Sequence, residues 1–147
     1  MKAYKNLTEA FEAFKKNAIE HGLCTMSGES KRGNKCYKNI MDAIRYIAEN
    51  KQYAGFKTML RDVNPSLRIW AAYALLHVDT KEAVKTLKAI AKSEEGIMAF
   101  NAEMTLEEFK NGNHNQTCFA TNKLVITDQW MSAWLDMSVG TTYIKSF

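Results

Sequence analysis

Three cysteines and three histidines are the side chains best suited to chemistry in this 147-residue chain. Two residues lie between His21 and Cys24, and eleven lie between Cys24 and Cys36. A zinc site takes four donors, usually in paired short spacings. Only one close pair occurs here, and Gly22 falls inside it as a natural helix stop. The spacing therefore predicts a free buried thiol and a surface histidine, with no metal. Cys24, Cys36 or Cys118 could each meet His21, His77 or His114 in space, but no local signature marks a nucleophile–base pair. His77 follows Leu75-Leu76, where it can cap carbonyls at the negative end of a helix dipole. Glu94-Glu95 and Glu107-Glu108 are sequence neighbours, so each pair points to different faces of a helix and reads as exposed acid. Gly28 and Gly33 stand alone and lack the Lys-Ser/Thr of a phosphate loop. The expectation is a chain with no catalytic centre and no cofactor.

Binding chemistry is better represented. Lys81, Lys85, Lys88 and Lys92 are spaced four, three and four residues apart, which on a helix makes one basic ridge. Lys31, Arg32, Lys35 and Lys38 form a second basic group. Trp130 and Trp134 would share a helix face, a pairing suited to core packing or to an interface anchor. Net charge is +4. Residues 1–60 carry eleven Lys/Arg against six Asp/Glu, and residues 61–147 carry nine against ten. That leaning suits an acidic partner but is too weak to indicate nucleic acid by itself.

The elements that must position these residues are helical. Leu7, Ala10, Phe11, Phe14 and Ala18 recur at helical spacing after a capping box of Asn6 and Glu9. Gly22 ends that helix, and residues 24–33 read as a polar loop. Tyr37, Ile40, Met41, Ile44, Ile47 and Ala48 form a second stripe. Lys38, Asp42, Arg45 and Glu49 lie on its outer face as a solvated ladder of opposite charges. Tyr53, Phe56, Met59 and Leu60 mark a short third helix. Asn64-Pro65 supplies an N-cap and a first-turn proline. The segment Leu67 to Leu76 is apolar nearly all round, as befits a central helix. Asp79 or Thr80 caps a helix with core face Ala83, Val84, Leu87, Ile90 and Ala91. A further helix over about residues 97–109 ends in Glu103, Glu107 and Glu108. Those acids sit at the unfavoured end of the dipole and call for a basic neighbour. Residues 113–147 read as a linker and a C-terminal extension. Asp128 there caps a short helix bearing Trp130 and Trp134, and residues 139–147 are β-prone.

Apolar residues make up 46% of the chain, enough for one core without disulfides. A single proline and seven glycines argue against disorder and a turn-rich β fold. The odd cysteine count and the lack of an apolar leader point to the reducing cytoplasm. The longest apolar stretch, Ile69 to Leu76, is far short of a bilayer span.

The tetrad Phe56-Lys57-Thr58-Met59 resembles Val84-Lys85-Thr86-Leu87, at the same point in successive helix pairs. The stretch Asp62 to Leu87 resembles a HEAT-type repeat. It carries Asn64-Pro65-Ser66-Leu67-Arg68, the close-packing Ala71, Ala72 and Ala74, and an arginine, Arg68, able to tie one repeat to acidic or carbonyl groups of another. More widely, residues 7–112 resemble a family of small bacterial HEAT-like domains of unknown function. Phe11, Phe14, Asn34, Glu82-Ala83, Leu87 and the run from Ala102 to Leu106 before Gly112 carry that resemblance. It implies an all-α superhelix of antiparallel helix pairs and a protein-binding role. Some small HEAT-like proteins serve as immunity proteins to neighbouring toxins. The expected function is a protein-interaction module, possible occupants being such a toxin or a second copy of the chain. Nucleic-acid binding is the alternative. Contacts are expected from Lys35, Lys38, Lys81, Lys85, Lys88, Lys92, Trp130 and Trp134.

Overall fold

The computed structural model describes residues 4–111, which contain six helices and no strand. They are α1 (Leu7–Ser27), α2 (Ser30–Glu49), α3 (Ala54–Met59), α4 (Pro65–Leu75), α5 (Thr80–Ser93) and α6 (Gly96–Lys110). The expected linker, the short helix with Trp130 and Trp134, and the β-prone end lie outside the described residues. No described helix is long and apolar enough to cross a membrane.

Local signals set most boundaries. The Asn6 side chain accepts from the Glu9 N–H at 2.9 Å, and the Glu9 carboxylate accepts from the Lys5 N–H at 3.3 Å. Asn64 accepts from the Leu67 N–H at 3.0 Å, with Pro65 opening α4. Both ends satisfy donors that a helix leaves without internal partners.

The first boundary error is at Gly22. Helix α1 runs through it and stops at Gly28, whose φ of 78° is left-handed and whose N–H donates to the Cys24 carbonyl at 2.9 Å. The expected 24–33 loop is therefore mostly helix, and α1 turns into α2 across Gly28 and Glu29. Gly22 serves packing instead. A Cβ there would lie 2.5 Å from the Ser66 Cβ, because α4 crosses α1 at this point. The Ser66 hydroxyl donates to the Ala18 carbonyl at 2.7 Å across the same crossing.

Helices α1 and α2 form a long antiparallel hairpin. Asn17 faces Asn39, Glu20 faces Arg32, and Tyr4 packs edge-on against Tyr46. Helix α4 packs on α1, α3, α5 and α6 and is buried from Ser66 to Leu75 apart from Arg68. It is the central helix its apolar circumference predicts. The Arg68 Nε donates to the Leu60 carbonyl at 3.1 Å, which ties α4 to the end of α3. Phe56 holds α3 down between Phe11 and Phe14, at ring distances of 5.3 and 4.9 Å. Each such buried side chain contributes about 1.5–3 kcal/mol of transfer free energy.

Three expected surface or capping roles are corrected. His21 is fully buried, edge-on to Trp70 at 5.3 Å, because the unbroken helix turns it inward. Arg45 is also buried and pairs with Asp42 at 3.3 Å, so the outer ladder of α2 is fully exposed only at Lys38 and Glu49. Asp79 occupies the N-cap position of α5, yet its carboxylate turns to Lys57 at 3.2 Å. The Thr80 hydroxyl donates backwards to the Leu76 carbonyl at 2.7 Å. At the end of α4, backbone N–H groups of Leu76, Val78 and Asp79 serve the Tyr73 and Leu75 carbonyls, while the His77 ring packs against Phe109 at 5.4 Å.

Candidate functional site

The lysine ridge exists as the spacing predicts. Lys81, Lys85, Lys88 and Lys92 are all exposed, while Ala83, Thr86, Leu87 and Ile90 of the same helix are buried. Three grooves flank it. The first, between α3 and α5, has a volume of roughly 810 Å³. Its cations are Lys57, Arg61, Arg68 and Lys85, against the carboxylates of Asp79 and Glu82. The second runs along the ridge itself, with Val84 and Ala89 between the lysine stems. The third lies between α5 and α6 and brings Lys88 and Lys110 beside Glu103 and Glu107. Of the acids at the end of α6, Glu107 has Lys110 of its own helix at 3.8 Å, and Glu103 shares the groove with Lys88.

The first groove takes the central two residues of each matching tetrad. Lys57-Thr58 of α3 and Lys85-Thr86 of α5 line it together, with Arg68 of α4 between the two helices in sequence. Lys57 and Lys85 are both exposed along the groove, whereas Thr58 is exposed and Thr86 is buried. Asp79 engages Lys57, and Arg68 is held by the Leu60 carbonyl. Lys57, Arg61 and Arg68 were not among the expected contacts. The tetrad match was the available signal for Lys57; Arg61 follows one turn later.

The other expected contacts separate from this groove. Lys35 and Lys38 are exposed on α2 and do not line it. Arg32 is engaged by Glu20 at 2.6 Å and by Glu29 at 2.9 Å. Trp130 and Trp134 lie outside the described residues.

A second cluster sits on the α1–α2 hairpin. One carboxylate oxygen of Glu20 and the Sγ atoms of Cys24 and Cys36 all lie within 4.8 Å of one another. Both thiols are buried, and Glu20 is half-buried. Burial pushes the Cys36 thiol up to about 11, and it raises Cys24 as well. Neither is therefore an activated nucleophile at neutral pH. His21, the other half of the expected close pair, points into the core toward Trp70. Burial lowers its pKa to about 4, so it is neutral and is not placed for proton transfer at the surface.

No protein-family model, no curated protein and no solved structure matches this chain.

Proposed function

We propose that the chain is a protein-interaction module of HEAT-like helix pairs that receives an acidic segment of a partner in the α3–α5 groove. The observation that carries this reading is the convergence of Lys57, Arg61, Arg68 and Lys85 on one cleft that continues into the ridge of Lys81, Lys88 and Lys92. A cleft lined by one predominant sign of charge focuses field and steers an oppositely charged partner. The rigid helix α4 beneath it keeps the cations at fixed spacing, which lowers the ordering cost of binding. The resemblance to small bacterial HEAT-like domains supports a specific form of this role, an immunity protein that masks a toxin encoded next to it.

The test is co-expression with the product of the adjacent gene. A stable one-to-one complex is expected, together with relief of toxicity. Arg61→Glu combined with Lys85→Glu should weaken that complex about tenfold or more while leaving thermal stability within a degree or two, since both side chains are exposed. A harmless neighbour that does not co-purify defeats the toxin form of the reading. Nucleic-acid binding uses the same cations. It predicts an oligonucleotide affinity whose logarithm falls linearly with log salt, with a shallower slope in the same double variant. Asp79 and Glu82 inside the groove repel either kind of anion, so the salt slope and the co-purification result decide between the two readings.

A further inference from the structure

We propose that Glu20, Cys24 and Cys36 form a binding site for one thiophilic divalent metal ion, zinc(II) being the best match to the donor set. Glu20 and Cys24 are four residues apart on α1, so their side chains stack on one face of the helix. The two-residue turn at Gly28 and Glu29 fixes the antiparallel register of α2 and delivers Cys36 to the same level. Three donors from two rigid helices therefore converge, none more than 4.8 Å from another. A tetrahedral zinc with bonds of about 2.0–2.3 Å holds its donors roughly 3.3–3.8 Å apart. Contraction by about 1 Å is within the reach of side-chain torsions and needs no helix movement.

The surroundings suit a metal. The two sulfurs are buried, while Glu20 reaches the surface and opens a path from solvent. Arg32 donates from Nη2 and Nε to one carboxylate oxygen of Glu20, at 2.6 Å and 3.0 Å, and from Nη1 to Glu29, so it does not engage the second Glu20 oxygen. An outer-shell donor of this kind orients a ligating carboxylate. A divalent ion offsets two of the three negative charges of two thiolates and one carboxylate, and Arg32, shared between Glu20 and Glu29, offsets part of the rest. Binding replaces the proton on each thiol with a metal–sulfur bond and releases both protons to solvent. Three protein ligands leave the fourth position for water or for a group from a partner.

The test uses cobalt(II) as probe on the full chain carrying Cys118→Ser, stripped of metal and kept reduced with a phosphine. One cobalt per chain is expected, with a thiolate-to-cobalt charge-transfer band, two protons released, and displacement by zinc. Cys24→Ser and Cys36→Ser should each abolish the band. Because these positions are buried, the partly exposed Glu20→Gln provides a second route. It should weaken cobalt binding at least tenfold, with the metal-free chain melting as before. Alkylation of Cys24 and Cys36 should slow in the loaded protein. Absence of the band while both thiols titrate as reduced would overturn the site. So would a band that survives loss of both cysteines, or cobalt affinity indifferent to Glu20→Gln.

Discussion

Gly22→Ala is expected to destabilise the fold by about 2–3 kcal/mol, the opposite of what the substitution does in an ordinary helix. Alanine in place of a mid-helix glycine normally gains about 1 kcal/mol. Here the new methyl group would sit 2.5 Å from the Ser66 Cβ and 2.7 Å from its hydroxyl oxygen. Relief requires α4 to back away from α1. That would stretch the bond from Ser66 to the Ala18 carbonyl and loosen the seat of Trp70 one turn further along α4. Removing the opposing methylene should restore the fit. The double variant Gly22→Ala, Ser66→Gly is expected to be more stable than Gly22→Ala alone, even though glycine is a poor helix former. Denaturant unfolding of the four species gives the coupling directly. Additive effects would mean that the helices do not touch at this crossing.

The second large effect is acid sensitivity at His21. Its pKa lies at about 4 because burial opposes the charged form, against 6.5 as the ordinary value. The unfolded chain takes up the proton as pH falls through about 6.5, and the folded chain does so only near 4. Between those values the unfolded state holds more protons, so stability falls as pH falls. Nothing is lost to this group above pH 6.5, and the loss amounts to about 3 kcal/mol by pH 4. His21→Phe keeps a ring against Trp70 and removes the titration. Its stability should therefore decline less steeply across this window than that of the unaltered chain, by about that amount. Parallel pH profiles of the two, or a nuclear magnetic resonance titration of His21 centred near its ordinary value, decide the matter.

Both predictions concern one place where local reasoning and the folded chain part company. Glycine near the end of an apolar stripe is a sound reason to end a helix, since left-handed backbone is cheap there. Two glycines, Gly22 and Gly28, compete for that role within one segment. Only the approach of Ser66, forty-four residues later in sequence, shows that Gly22 is needed for its missing side chain and Gly28 for its positive φ. Once α1 continues through Gly22, two further consequences are forced. His21 rotates inward to Trp70, and Cys24 comes level with Cys36. A spacing that reads poorly for a metal when the helix is broken becomes a three-donor cluster when it is not.

What the sequence determined by itself is the set of local, periodic choices. The six amphipathic or buried segments, the Asn6 and Asn64 caps, the buried Leu67–Leu75 helix and the exposed lysine ridge all follow from propensity, capping and a 3.6-residue repeat. These depend on neighbours within four residues, so no knowledge of the fold is needed to see them. What only the tertiary structure decided is which faces meet. Lys57 and Arg61 join Lys85 because α3 and α5 flank one groove, Arg45 is buried, and Glu20 with the two cysteines converges across a hairpin. Such contacts depend on crossing points and register between helices distant in sequence. Those are set by side-chain size at a few close approaches such as Gly22 and Ser66, and not by the pattern along any single helix.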